Sequence, residues 1–170
     1  MKRSGRTLKQ RLYGFKHLSS RLKRARYFRG HGVHSPYIYN IVRQVFMRSK
    51  LSVVETPLYD TLVAQGVARR RAVQLQNLVA HCEYNTWTID SLTKADFIVA
   101  SVDVAPETLK EYAAFAREQG ATLCIMNPYY SAERWMACST IIDAHPSTTV
   151  DNRAYLLIFN NHLPKQRFRL

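Results

Sequence analysis

The clearest pattern of apolar and polar positions in this chain lies between residues 95 and 126. Phe97, Ile98, Val99, Ala100 and Val102 form one apolar block of strand length, and Ala121, Thr122, Leu123, Cys124, Ile125 and Met126 form a second. Between them Pro106 opens and Gly120 closes a stretch in which Leu109, Tyr112, Ala113 and Ala116 share one helical face. Two uninterrupted apolar blocks joined by a crossover helix predict parallel strands, buried on both faces, in an α/β sheet.

The rest of the chain extends that pattern in both directions. Residues 7–28 place Leu8, Leu12, Phe15, Leu18 and Leu22 on one helical face, with Gly14 weakening the helix. Ser35 suits an N-cap and Pro36 the first helical position, ahead of a helix carrying Ile38, Ile41, Val42, Val45 and Phe46 on one side. Residues 49–66 read as a connection with a short helical turn. Arg69-Arg70-Arg71 starts a helix that turns Val73, Leu75, Leu78, Val79 and Cys82 inward. Thr86, Trp87, Thr88 and Ile89 suit a strand, and a turn over residues 90–94 leads to the central pair. After that pair come Asn127-Pro128-Tyr129-Tyr130, a Ser131 cap, and a helix carrying Trp135, Met136, Cys138, Ile141 and Ile142 that ends at His145-Pro146. Residues 148–151 and 154–160 then read as two strands around Asn152-Arg153, a hairpin. A basic tail closes the chain.

Length and charge alter this picture. A chain of 170 residues is long enough to bury one sizeable core. Its net charge of +13 sits at one end: residues 1–50 hold 14 Lys+Arg and no acid, while residues 51–170 hold 11 Lys+Arg against all 12 acids. The expected organisation is a basic helical segment over residues 1–50 and a near-neutral α/β domain over residues 51–170. A segment of that charge attracts a polyanionic partner, nucleic acid among them. Tyr13, Phe15, Tyr27 and Phe28 stand among the charges, where aromatic rings can stack on bases. The same pattern also describes an apolar stripe packed on the body with solvated charges outside. No apolar run long enough to span a bilayer occurs, and the first 30 residues lack the apolar core of a secretory signal. The cytoplasm is the expected location.

Candidate chemistry is sparse. Arg29-Gly30-His31-Gly32-Val33-His34-Ser35-Pro36 brings Arg29, Gly30, His31, Gly32, His34 and Ser35 to a helix entry, where free N–H groups can hold a phosphate. The alternative is a tight entry whose histidines bond the backbone. His31 and His34 have no acid before Glu55 to complete a metal site. Cys82, Cys124 and Cys138 are odd in number and widely spaced, which favours reduced core thiols over disulfides or zinc. Ligands of open α/β sheets sit at the carboxyl ends of the strands, so Asp103, Asn127, Tyr129 and Tyr130 would line a retained pocket. No spacing identifies a catalytic residue or a nucleophile with its base.

Gly32-Val33-His34-Ser35-Pro36-Tyr37, with a basic amphipathic stretch before it and an apolar helix after it, resembles the N-terminal signature of class I S-adenosylmethionine-dependent methyltransferase-like proteins of Bacteroidetes type. The stretch from Trp135 through His145-Pro146 to the closing strand pair is similar to the same family. The resemblance covers residues 8–48 and 95–170. It implies an incomplete Rossmann-like methyltransferase sheet ending in an antiparallel hairpin strand, with S-adenosylmethionine as cofactor if the family function is retained. The departures concern that cofactor. The family's first strand leads into a glycine-rich loop, but this chain has no glycine between Gly66 and Gly120. The acid that holds the ribose hydroxyls has no counterpart, and Asn127-Pro128 replaces the acidic pair expected after the fifth strand. Asp103 keeps the acid at the end of the fourth. Three functions follow as expectations: a degenerate methyltransferase-like protein without methyl transfer, an active enzyme with an atypical cofactor site, and a non-enzymatic nucleic-acid-binding module. Asn127-Pro128-Tyr129-Tyr130 is similar to the Asn-Pro-Pro-Tyr motif of amino-group methyltransferases, which supports the second.

Overall fold

The computed structural model describes residues 35–170. Within them residues 35–85 belong to one compact unit and residues 86–170 to another.

The first unit is helical. Ser35 caps α1 (Pro36–Ile41), its Oγ accepting from the Ile38 N–H at 3.4 Å, with Pro36 at the helix start. Residues Val42–Phe46 continue as a wider turn in which the Met47 N–H reaches the Val42 carbonyl, five residues back. Ile38, Ile41, Val42, Val45 and Phe46 are all buried, as their spacing predicts. Two more helices follow, α2 (Pro57–Ala64) and α3 (Arg69–His81), and α3 packs on both α2 and the wide turn. Three buried amides of α3 serve the main chain before it. Gln74 donates to the Phe46 carbonyl at 2.8 Å, and Gln76 accepts from the Tyr59 N–H at 3.0 Å. Asn77 accepts from Ser52 N at 2.9 Å and donates to the Lys50 carbonyl at 2.9 Å. Buried backbone groups outside regular structure need such partners, which is why polar residues sit inside this unit.

The second unit is a six-stranded mixed sheet in the order β1-β2-β3-β5-β4-β6. The strands are β1 (Trp87–Ile89), β2 (Phe97–Ala100), β3 (Thr122–Met126), β4 (Thr149–Asp151), β5 (Tyr155–Ile158) and β6 (Arg167–Arg169). β1, β2 and β3 run parallel, with Phe97 opposite Thr122 and Ala100 opposite Ile125. A 3-10 turn (Pro106–Thr108) and α4 (Leu109–Glu118) form the crossover between β2 and β3. Gly120 closes α4 at φ +67°, a left-handed position that glycine takes without strain. Helix α5 (Ala132–Ala144) leads from β3 to β4, and Ser131 caps it through its Oγ and the Arg134 N–H at 3.1 Å.

One face of the sheet, Ile98, Ala100, Leu123, Ile125, Leu156 and Ile158, packs against α4 and α5. Phe97, Val99, Cys124 and Leu157 alternate with those residues along the strands and are fully buried as well. Burial on both sides explains why the central blocks read as continuous apolar runs.

The structure differs from the sequence reading at the end of the chain. The reversed strand of the hairpin, β5, does not end the sheet. It is inserted between β3 and β4, antiparallel to both. The basic tail then supplies β6, parallel to β4, with Val150 opposite Phe168. Arg167 and Arg169 hid that strand because an edge strand tolerates charged residues facing water.

Candidate functional site

Antiparallel pairing on both sides of β5 turns β4 to run with β3, so β1, β2, β3, β4 and β6 all point one way. Their carboxyl ends make one rim. It gathers Asp90 after β1, residues 101–104 after β2, residues 127–131 after β3 and Asp151 at the end of β4. All four positions expected to line a pocket, Asp103, Asn127, Tyr129 and Tyr130, lie on this rim. Of the residues expected at the helix entry, Ser35 is the α1 cap, while Arg29, Gly30, His31, Gly32 and His34 lie outside the described residues.

The residue that organises the rim is Arg134, which sequence reasoning missed. It stands in the first turn of α5 and is 1% exposed. Its Nε donates to the Met126 carbonyl at 3.2 Å and its two terminal nitrogens to the Val104 carbonyl at 2.7 Å and the Ser101 carbonyl at 2.6 Å. One guanidinium thus ties the end of β3 to the loop after β2. Burial lowers its pKa, and the negative potential of Cys138, Asp90 and Asp103 opposes that shift. Among the described residues no carboxylate pairs directly with it. A signal was present: Ser131 sets the helix start, and side chains in a first turn lean back toward the preceding strand.

Several other polar groups of the rim are also engaged. Asp90 sits at φ +55° and its Oδ1 accepts from the Ser101 N–H at 2.6 Å. Ser91 and Thr93 bond each other through their hydroxyls. Asp103 is exposed, and its N–H donates to Ser101 Oγ at 3.1 Å. Asn127 takes φ +47°; its N–H reaches the Ala154 carbonyl at 2.7 Å, and its carbonyl accepts from the Tyr130 N–H at 2.9 Å. The Tyr129 ring stacks on Trp135 with centroids 4.4 Å apart, and its hydroxyl donates to Asp151 Oδ2 at 2.5 Å. The second Asp151 oxygen accepts from the Arg153 N–H at 2.8 Å. Chemically this is a clasp between strand ends: the Asp90 and Asp151 carboxylates and the buried guanidinium bond main-chain groups, while the Asp103 side chain stands at an exposed position.

Among the described residues no group of three His, Cys, Asp or Glu side chains could hold a metal ion. None of the three cysteines forms a disulfide. Cys124 and Cys138 are buried, and burial pushes the Cys138 thiol up to about 12, which leaves it without nucleophilic character at neutral pH. Comparison of the chain with protein-family models, with curated proteins and with solved structures finds no match.

Proposed function

We propose that this chain is a methyltransferase-like protein, internally shortened, that performs no methyl transfer and meets a polyanionic partner through its basic N-terminal segment. The observation that carries the first half is the Arg134 clasp. In an open α/β sheet the ligand sits over the carboxyl ends of the strands. Here the guanidinium bonds three carbonyls at that place.

S-adenosylmethionine does not suit the residues of this rim. The turn after β1 runs Asp90-Ser91-Leu92-Thr93-Lys94 without a glycine, so side chains stand where a nucleotide needs close approach of the backbone. The Asp90 carboxylate, at an exposed position, accepts the Ser101 N–H through its Oδ1. β1 passes to β2 through only seven residues, 90–96, leaving no further strand to supply an acid for ribose hydroxyls. The reversed strand delivered by a hairpin accords with the methyltransferase resemblance, so the reading is a related sheet with its ligand site closed.

The active alternative would use Tyr130, at the motif's aromatic position, to stack on a target base; Tyr129, which stands where the motif has its second proline, has its ring on Trp135 and its hydroxyl on Asp151. Calorimetric titration of the full chain with S-adenosylmethionine tests the proposal. No heat of binding at millimolar ligand is expected. Saturable binding in the micromolar range overturns it.

A further inference from the structure

A hollow of about 350 Å³ lies between α4 and α5, on the helical layer and apart from the strand-end rim. That volume is at the lower end of the range used by small-ligand pockets. Its α4 wall is Lys110, Ala113, Ala114 and Arg117, spaced by three and four residues and therefore on one helical face. Two alanines in the middle leave the space, and a cation stands at either end. Across from them Ala144 and His145 close the α5 side.

Lys110 and Arg117 make no ion pair and no side-chain hydrogen bond among the described residues. His145 is 7% exposed, and its Nε2 lies 2.8 Å from the Phe159 carbonyl. A carbonyl only accepts, so Nε2 carries the proton and Nδ1 presents a lone pair. Burial lowers the His145 pKa, and the nearby Arg117 and Lys165 add to that shift against the Phe159 carbonyl, which keeps the ring neutral at pH 7.

We propose that this hollow binds a small apolar hydroxy acid. The hydrocarbon body lies on Ala113, Ala114 and Ala144, the carboxylate faces Arg117, and the hydroxyl donates to His145 Nδ1. Lys110 at the far end adds to the positive potential that draws the anion in. The hollow offers two cations, the His145 acceptor with the Thr140 hydroxyl beside it, and an alanine floor, and a ligand with one anionic group, one donor and an apolar chain matches these features.

The test is a chemical-shift titration of the 15N-labelled full chain with 3-hydroxyoctanoate, octanoate and octanol, each below its micelle concentration. The expected result is saturable shifts confined to α4 and the end of α5, with affinity falling in that order. Arg117→Gln weakens the two acids roughly fivefold, the scale of one exposed ion pair, and leaves octanol unchanged. Ala114→Leu, at an exposed position that can accept the larger side chain, abolishes all three. Equal affinity for acid and alcohol, shifts elsewhere, or binding that survives Ala114→Leu overturns the proposal. The site is independent of the strand-end rim, so its failure leaves the reading of Arg134 untouched.

Discussion

Arg134 shows how one side chain can decide what a strand-end rim offers. A buried guanidinium costs desolvation, and three carbonyl partners offset that cost by removing three unmet acceptors at the same time. Sequence periodicity ranks such a residue as a helix-surface charge, and the Ser131 cap alone does not show that its side chain reaches three carbonyls at the strand ends. His145 was legible only as a helix end before Pro146, and its burial against Phe159 has a consequence. A free histidine in the unfolded chain takes up its proton near pH 6.5, whereas burial lowers the folded-state value below that. The unfolded chain therefore binds more protons in the window between the two, and stability rises with pH there. Stability is full above about pH 6.5 and falls as the pH drops below it. Urea unfolding of the chain and of His145→Gln across this range checks it: the variant is expected to lose part of the slope. Identical pH courses would remove His145 from the account.

At the scale of elements, most of the fold was readable because burial on both faces leaves an unambiguous mark. β2 and β3, their crossover helix and the hairpin all follow from apolar runs bounded by proline, glycine and asparagine. Two elements were not readable for physical reasons. β6 is three residues long with arginine at both ends, so its pairing with β4 had no apolar signal. The amides Gln74, Gln76 and Asn77 look like exposed helix residues, yet they are buried because the connection from residue 46 to 59 needs partners for its main chain. Cap residues were readable, and α5 depends on one. Ser131→Ala removes the acceptor of the Arg134 N–H and is expected to cost about 1 kcal/mol in chemical denaturation. A change within a few tenths of a kcal/mol would show that the sheet, rather than the cap, fixes the start of this helix.

For the whole molecule, the charge division and the packing division fall at different places. All the excess positive charge lies before residue 51, whereas among the described residues the compact units divide between residues 85 and 86. Arg43 and Arg48 therefore belong to the same unit as the amide-lined helices. Binding of a generic polyanion such as poly(U) to the full chain is expected to weaken steeply as salt rises, because each phosphate contact releases a counterion. Deleting residues 1–30 removes 11 of the 25 basic residues and should flatten that dependence. Unchanged affinity and slope after the deletion would put the polyanion surface elsewhere.

No described helix is long and apolar enough to cross a membrane. The central claim is that the strand ends are closed by the protein's own side chain. Hydrogen exchange at the Arg134 guanidinium in 15N-labelled protein measures that closure directly. The account predicts a resolved Nε–H resonance that exchanges slowly and does not move when millimolar S-adenosylmethionine is added. Rapid exchange with water, or a resonance that shifts as the nucleotide is added, would contradict it.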